Sequence, residues 1–556
     1  MGGCTRKADK ASQAPPPAPN ETMIQLVDIA RKAGLGDFHH ETGAFGKKWF
    51  PETMGPGCGF IDYDNDGDLD ILLIGGGAWK GKSPVYPVYP LRLYRNDGEL
   101  HFTEVTREAG LERLSDVYAI GLTAADYDND GDEDIYVTTL GKNLLLQNNG
   151  QGFFTDVARE AGVDGPPVWS SSALFFDPDR DGDLDLFVGN YVYWSPETDI
   201  WCSLDEQTKG YCTPEAYQGV PPHFYRNQGN GTFRDETEKA GFLPAPGKTL
   251  GVVELDYNRD GWPDLALAND TQPDQLYRNN GDGTFTDIGM LSGMAYDEQG
   301  KARAGMGIDA GFVDTTGQIN LFVGNFSREM IGVYRYIGHD VFLERSAVSQ
   351  IGRYSLQTLA FGLVLIDIDL DGDLDLFVGN GHVQPQVEHT RDGITYRQAP
   401  HLFVNDGTGI FHDVAPEAGL SQPLVIRGVA YGDVDQDGRV DILAIENNGP
   451  VHLWHNQSAP AAHFLRIKLQ GVKSHPQGIG AEVSIIQGEH PLVQRVRTGG
   501  SYLSVSEKVL TFGLGPRKEV LEVRVNWPSG LHERFGPFPA DQTITLVEGS
   551  GEPLDS

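Results

Sequence analysis

The chain has 556 residues, 79 Asp and Glu against 43 Lys and Arg, a formal net charge of −36 and four cysteines. That length is ample for a large buried core, and four cysteines exclude a disulfide scaffold or a multi-zinc array. The charge speaks against nucleic acid and against an anionic membrane surface, and favours cations wherever the carboxylates cluster.

No apolar run approaches the 18 or so residues of a membrane helix. The chain opens Met1-Gly2-Gly3-Cys4, then a Pro-rich stretch through Pro15-Pro16-Pro17, so residues 1–22 read as a flexible tether. Two readings of Cys4 stay open: a lipid anchor, or an incidental thiol.

From residue 23 to 458 one pattern recurs, Asp-x-Asp-x-Asp-Gly-x-x-Asp. Four copies are complete: Asp62, Asp64, Asp66, Asp68 and Asp70; Asp126, Asp128, Asp130, Asp132 and Asp134; Asp177, Asp179, Asp181, Asp183 and Asp185; Asp367, Asp369, Asp371, Asp373 and Asp375. Two are variants: Asp256, Asn258, Asp260, Trp262 and Asp264; Asp433, Asp435, Asp437, Arg439 and Asp441. A copy between them is eroded to Asp314 and Asn320. Each unit adds short apolar runs, a Tyr-x-Asn stretch, a Gly-rich turn and an aromatic-Asp…Ala-Gly ending, which reads as four strands. Seven such units predict an all-β, seven-bladed β-propeller. The last unit lacks its closing strand, and Leu26-Val27-Asp28-Ile29 at the front of the chain carries that signature. The spacing therefore predicts that residues 24–30 pair with 446–456 and close the ring.

Carboxylates this dense repel one another unless a hard cation neutralises them. Oxygen ligands on a Gly-hinged loop suit Ca²⁺, with side chains from positions 1, 3, 5 and 9 and a carbonyl from position 7. Position 12, where an EF-hand carries Glu, is Leu73, Val137, Val188, Leu267, Val378 or Ala444. About six Ca²⁺ sites are expected, and none at the eroded loop.

Residues 461–550 read as a separate small β-sandwich-like domain, with strands at 463–469, 482–486, 521–526 and 543–547. The acidic loops resemble FG-GAP/VCBS repeats, similar to those of integrin α heads. Gly478-Ile479-Gly480-Ala481, Gly499-Gly500-Ser501-Tyr502-Leu503-Ser504, Phe512-Gly513-Leu514-Gly515 and Trp527-Pro528-Ser529-Gly530 resemble an ASPIC/UnbV domain. Together they resemble the cartilage acidic protein family, which implies a secreted or cell-surface calcium-binding protein.

Three connections on the rim opposite the acidic loops are long: 75–90, 191–222 and 381–400. Such loops on a rigid ring are where binding function is expected. Tyr193, Trp194, Trp201, Tyr211 and His382 are candidate ligand-binding residues, and Cys202 and Cys212 a candidate disulfide. The expected function is extracytoplasmic adhesion or recognition of a protein or glycan partner. No nucleophile elbow, HExxH, Walker loop or GxGxxG is present. The alternative is a polysaccharide-active lyase or hydrolase on the same face, since paired carboxylates for that chemistry look like calcium ligands in sequence.

Overall fold

The computed structural model describes residues 24–43, 47–77, 89–114, 117–203, 207–242, 247–459, 462–486 and 490–554. The tether with Cys4, and Trp79 to Lys82 of the first long connection, lie outside the described residues.

Seven four-stranded antiparallel units follow one another, here called blades 1 to 7, and those of blades 2 and 3 are joined into one eight-stranded sheet by the pairing of Val168 with Gly141 and Trp169 with Leu140. Blade 1 comprises Cys58–Ile61, Asp70–Ile74, Leu91–Asn96 and Phe102–Glu104. Blades 2 to 6 repeat this order, beginning at Ala119, Val168, Thr249, Gly305 and Ala360. Blade 7 consists of Ile426–Gly432, Asp441–Glu446, Val451–Asn456 and, from the other end of the chain, Leu26–Asp28. Leu26 pairs with Asn456 and Asp28 with Trp454, so the ring is closed by the N-terminal strand. The second strand of each blade is buried along nearly its whole length, as the near-continuous apolar runs Ile71-Leu72-Leu73-Ile74 and Leu376-Phe377-Val378 require. The fourth is short and alternates, because it faces solvent on one side.

The first strand of each blade lies innermost and touches that of the next, the seventh touching the first. That approach needs the missing side chain of a glycine. A Cβ on Gly307 would lie 2.2 Å from the Phe361 carbonyl oxygen of the next blade, and one on Gly251 2.3 Å from that of Met306.

The Tyr-x-Asn stretch explains how blades hold their neighbours. Each Asn donates its Nδ2 to a backbone carbonyl in the acidic loop of the preceding blade: Asn148 to Tyr63, Asn227 to Tyr127, Asn279 to Pro178, Asn405 to Val313, Asn456 to Ile368 and, across the closure, Asn96 to Val434, all at 2.7–2.9 Å. Blade 5 has Tyr336 instead, whose ring meets Tyr257 of blade 4 at 5.4 Å.

The C-terminal residues form two principal sheets. In one, His463–Gln470 lies between Leu510–Gly515 and, in parallel, Gln542–Val547. The other has five strands, with Glu482–Ile485 and Val523–Asn526 at its centre. The expected strand over 521–526 is shortened: Leu521 is exposed, pairing in the large sheet begins at Val523, and the preceding Glu519–Val520 pairs elsewhere. Nor are these sheets separate from the ring. One buried cluster contains Tyr136, Phe175 and Leu186 of blades 2 and 3 together with Leu465, Val483, Phe512 and Trp527.

The motif Gly499-Gly500-Ser501-Tyr502-Leu503-Ser504 leaves those sheets and runs along the propeller axis. It meets the inner strand of every blade. Val505 bridges to Gly59, the Leu503 carbonyl accepts from Leu122 N–H, and Leu503 N–H donates to Ser172. Gly500 N–H donates to Val252, Ser501 bridges to Ile308, the Ser501 hydroxyl donates to Val429, and the Tyr502 ring packs on Phe361 at 5.1 Å. The extra backbone polar groups of the inner strands thus find partners in a buried axis.

Candidate metal centres and the opposite face

Six acidic loops share one turn. Position 4 is left-handed in all of them, at Asn65, Asn129, Arg180, Arg259, Leu370 and Gln436, and the following Gly67 to Gly438 series has φ near +90°. The first Asp accepts from the Gly N–H through Oδ2 at 2.8–3.2 Å. The third acidic position accepts from the N–H of position 7 at 2.9–3.0 Å. The ninth-position Asp opens strand two and accepts from the backbone N–H of the Tyr-x-Asn asparagine at 2.7–2.8 Å.

Ligand atoms of Asp62, Asp64 and Asp66 lie within 4.8 Å of one another, as do those of Asp126, Asp128 and Asp134, of Asp177, Asp179 and Asp181, and of Asp367, Asp369 and Asp371. Several of these oxygens are buried without a hydrogen-bond partner: Oδ1 of Asp62, Asp64, Asp128, Asp179 and Asp367. Burial pushes Asp62 and Asp126 up to about 6, Asp70 to about 8 and Asp134 to about 9, with neighbouring carboxylates adding to the rise. Orphaned oxygens converging on a Gly-hinged turn fit a hard divalent cation, with Ca²⁺ the better match than Mg²⁺ for this flexible oxygen set.

In loops 1 to 4 the position 7 side chain points away from that focus, into an interblade belt: Asn65 donates to Asp132, Asn129 to Asp183 and Gln436 to Asp68 at 2.6–2.8 Å, and Arg180 stacks on Trp262. In those loops only the position 7 carbonyl is available to a metal, so Trp262 is no obstacle by identity, whereas Arg439 turns onto Asp437 of its own loop.

The loops differ in a residue the repeat pattern left as x. In blade 3 it is Arg226, whose guanidinium lies 2.5 Å from Asp179 and 2.6 Å from Asp185. In blade 7 it is His455, 3.0 Å from Asp441 and 3.9 Å from Asp435. Arg439 pairs there with Asp437, and Arg466 of the C-terminal sheets with Asp433. Blade 2 carries Gln147, donating to Asp128, and blade 6 carries Val404. Loop 6 therefore keeps five carboxylates with no protein cation reaching in from this strand. In the eroded loop Asp314 accepts from Thr316 and approaches Arg335 at 3.8 Å, and position 4, Thr315, is not left-handed.

The C-terminal sheets sit on this rim. His475 bonds the Asp126 carbonyl, Gly513 N–H donates to Asp367, Lys508 pairs with Glu133, Arg495 with Glu254, and Arg497 with Asp309.

On the opposite rim Cys202 and Cys212 form a disulfide, and Cys58 is a buried free thiol on the first strand of blade 1. Trp201 is 66% and Tyr193 50% exposed. Trp194 is instead buried, edge-on to Trp49 at 6.0 Å, and Tyr211 donates to Glu52. His382 is buried beside Phe326.

The sequence matches the FG-GAP-like repeat over residues 62–137, 126–188, 215–267 and 256–311, and the ASPIC and UnbV family over 471–553. Cartilage acidic protein 1 of Mus musculus is 24% identical over 520 residues, 86% of this chain and 71% of that protein. That of Homo sapiens is 24% identical over 517 residues, covering 86% and 70%. The chain carries FG-GAP repeats and an ASPIC/UnbV domain and is homologous to cartilage acidic protein 1. Among solved structures it is similar to the BP39L lectin of Burkholderia pseudomallei (TM-score 0.41, 10% identity, 73% of this chain and 97% of that one). It is also similar to a lectin of Agrocybe aegerita described as recognising non-reducing terminal N-acetylglucosamine (TM-score 0.38, 18% identity, 65% and 79%). Neither family match extends over residues 312–470, which include blade 6 and the first three strands of blade 7. The ASPIC/UnbV match contains the axial segment, so the domain that covers the FG-GAP loops also fills the ring. No helix among the described residues is long and apolar enough to cross a membrane.

Proposed function

We propose that this chain is an extracytoplasmic calcium-binding recognition protein that presents its long-loop rim to a protein or glycan partner. The observation that carries this is the contrast between the two rims. The FG-GAP rim is covered by the ASPIC/UnbV domain, whereas the other displays Trp201 and Tyr193 on a loop braced by a disulfide. A disulfide also fits an oxidising compartment. Exposed aromatics on a stiff loop supply large contact area at low entropic cost.

In this reading Ca²⁺ is held by positions 1, 3, 5 and 9 and by the position 7 carbonyl, and neutralises carboxylates that otherwise destabilise the rim. Loops 1, 2, 4 and 6 are its sites of choice. In loop 3 Arg226 already places positive charge among the carboxylates, and in loop 7 His455 lies 3.0 Å from Asp441. The test of the recognition face is a Trp201→Ala/Tyr193→Ala double variant, scored on glycan arrays and immobilised surface proteins. Loss of binding with an unchanged melting temperature supports the reading. Binding that survives these changes, but fails on substitutions in the ASPIC/UnbV domain, overturns it.

One observation favours a second reading, a polysaccharide-active enzyme: Tyr191 donates to Asp270 at 2.5 Å in the same cavity as His382. Release of reducing ends or unsaturated sugars, abolished by His382→Ala, distinguishes it from binding alone.

A further inference from the structure

A cavity of about 390 Å³ opens on the long-loop rim between blades 3 and 6, within the range of small-molecule sites. Its base is apolar and buried: Phe50, Tyr191, Met306 and Phe361. Its walls carry polar groups that nothing in the described residues satisfies. His382 is 1% exposed and its Nε2 has no partner. Its Nδ1 accepts from Gln384 N–H at 3.0 Å, so the neutral ring carries its proton on Nε2 and offers a donor. Burial, with Arg391 and Arg427 nearby, lowers His382 to about 4, which keeps the ring neutral at physiological pH. The hydroxyl of Ser327, also buried, and Oε1 of Gln384 are likewise unpartnered. Leaving such buried groups without partners is unfavourable, and a bound ligand would offset that cost.

The charge around the cavity has a sign. Beneath Phe361 lies Arg427, fully buried, its guanidinium 3.9 Å from the ring centroid. It donates to the carbonyls of Thr53, Gly381, Ile426 and His382, and no carboxylate among the described residues lies within ion-pair distance. A buried cation held only by dipoles leaves its charge uncompensated. At the rim, Arg328 and Arg391 also have no carboxylate partner among the described residues, while Lys301 and Glu329 cancel each other at 2.8 Å. Of the other acids lining the cavity, Glu215 is exposed, and burial raises Asp270 to about 7, so its charge is partly withdrawn.

We infer that this cavity binds one pyranose unit of an acidic glycan, a sugar bearing a carboxylate. An apolar base with polar walls matches a sugar ring, which has C–H faces and hydroxyl edges, and the uncompensated guanidinium groups match the carboxylate. This deepens the proposed recognition function and rests on it.

The test uses the full chain in saturating Ca²⁺, titrated by NMR with trisaccharides of galacturonate, glucuronate and mannuronate against galactotriose. At least one uronide is expected to bind ten-fold or more tighter than the neutral sugar. Arg391→Ala, on an exposed side chain, and His382→Ala should each weaken that binding ten-fold or more; Ser327→Val serves as a third variant if His382→Ala misfolds. Equal binding of galactotriose, or uronide binding indifferent to all three changes, overturns the assignment. So does absence of uronide binding. If that absence accompanies loss of another partner in the Trp201→Ala/Tyr193→Ala variant, the rim remains the recognition face and only the acidic-sugar site falls.

Discussion

At the scale of single residues, the differences among the FG-GAP loops matter more than their likeness. The repeated aspartates were plain in the sequence, because position 9 must open strand two and Gly must follow the left-handed residue. What the pattern could not convey was the direction of the residue between Tyr and Asn, since strand pairing decides whether Arg226 or His455 reaches into the carboxylates. Replacing Arg226 by Gln removes the guanidinium between Asp179 and Asp185 and should raise the measured Ca²⁺ stoichiometry by one; an unchanged stoichiometry would show that Arg226 does not decide the occupancy of loop 3. A second titratable group works at the ring closure. His452 bonds Asp28 of the N-terminal strand at 2.7 Å and Glu446 at 3.3 Å, and although burial opposes it, these carboxylates raise the imidazole to about 9. A raised folded pKa stabilises fully below the ordinary histidine value near 6.5 and is lost as pH climbs through about 9. The wild type should therefore lose its advantage over His452→Gln across that window, read as converging melting temperatures.

At the scale of elements, the Asn of Tyr-x-Asn is a staple between blades. The sequence showed it as part of a recurring stretch but held no sign of its partner, a carbonyl some 90 residues away in the case of Asn405 and Val313. Asn405→Ala leaves the Val313 and Leu374 carbonyls without their donor. It should cost about 1–3 kcal/mol, measured by denaturant unfolding. The axial segment was legible as a Gly-rich motif and illegible as a plug, because its course depends on inner-strand residues distributed from Gly59 to Val429. Tyr502 fills that axis, its ring on Phe361 and its hydroxyl donating to Met54. Tyr502→Ala should destabilise the whole ring by about 3–5 kcal/mol, as other large aromatic truncations do. A loss confined to the ASPIC/UnbV domain, with the propeller melting unchanged, would contradict the role given to the segment.

At the scale of the molecule, the fold was readable to the level of seven repeats because a 60-residue unit with fixed punctuation has few other solutions. The relation of the two domains was not. It is written in ion pairs such as Arg497 with Asp309 and Lys508 with Glu133, whose partners are far apart in sequence and ordinary in type. The same contacts tie the loops to the domain above them, since Gly513 bonds Asp367 and Arg466 bonds Asp433. Under the proposed function, metal in the loops, the seating of the ASPIC/UnbV domain and the plugged axis would act as one cooperative unit. Each occupied site contributes about 2.7 kcal/mol at a hundredfold excess of Ca²⁺ over its dissociation constant. The most direct test is thermal unfolding of the full chain in Ca²⁺ and in chelator. The account predicts a fall of the melting temperature by many degrees in chelator, restored by Ca²⁺ and not by Mg²⁺, whereas superimposable curves with no retained metal would contradict it.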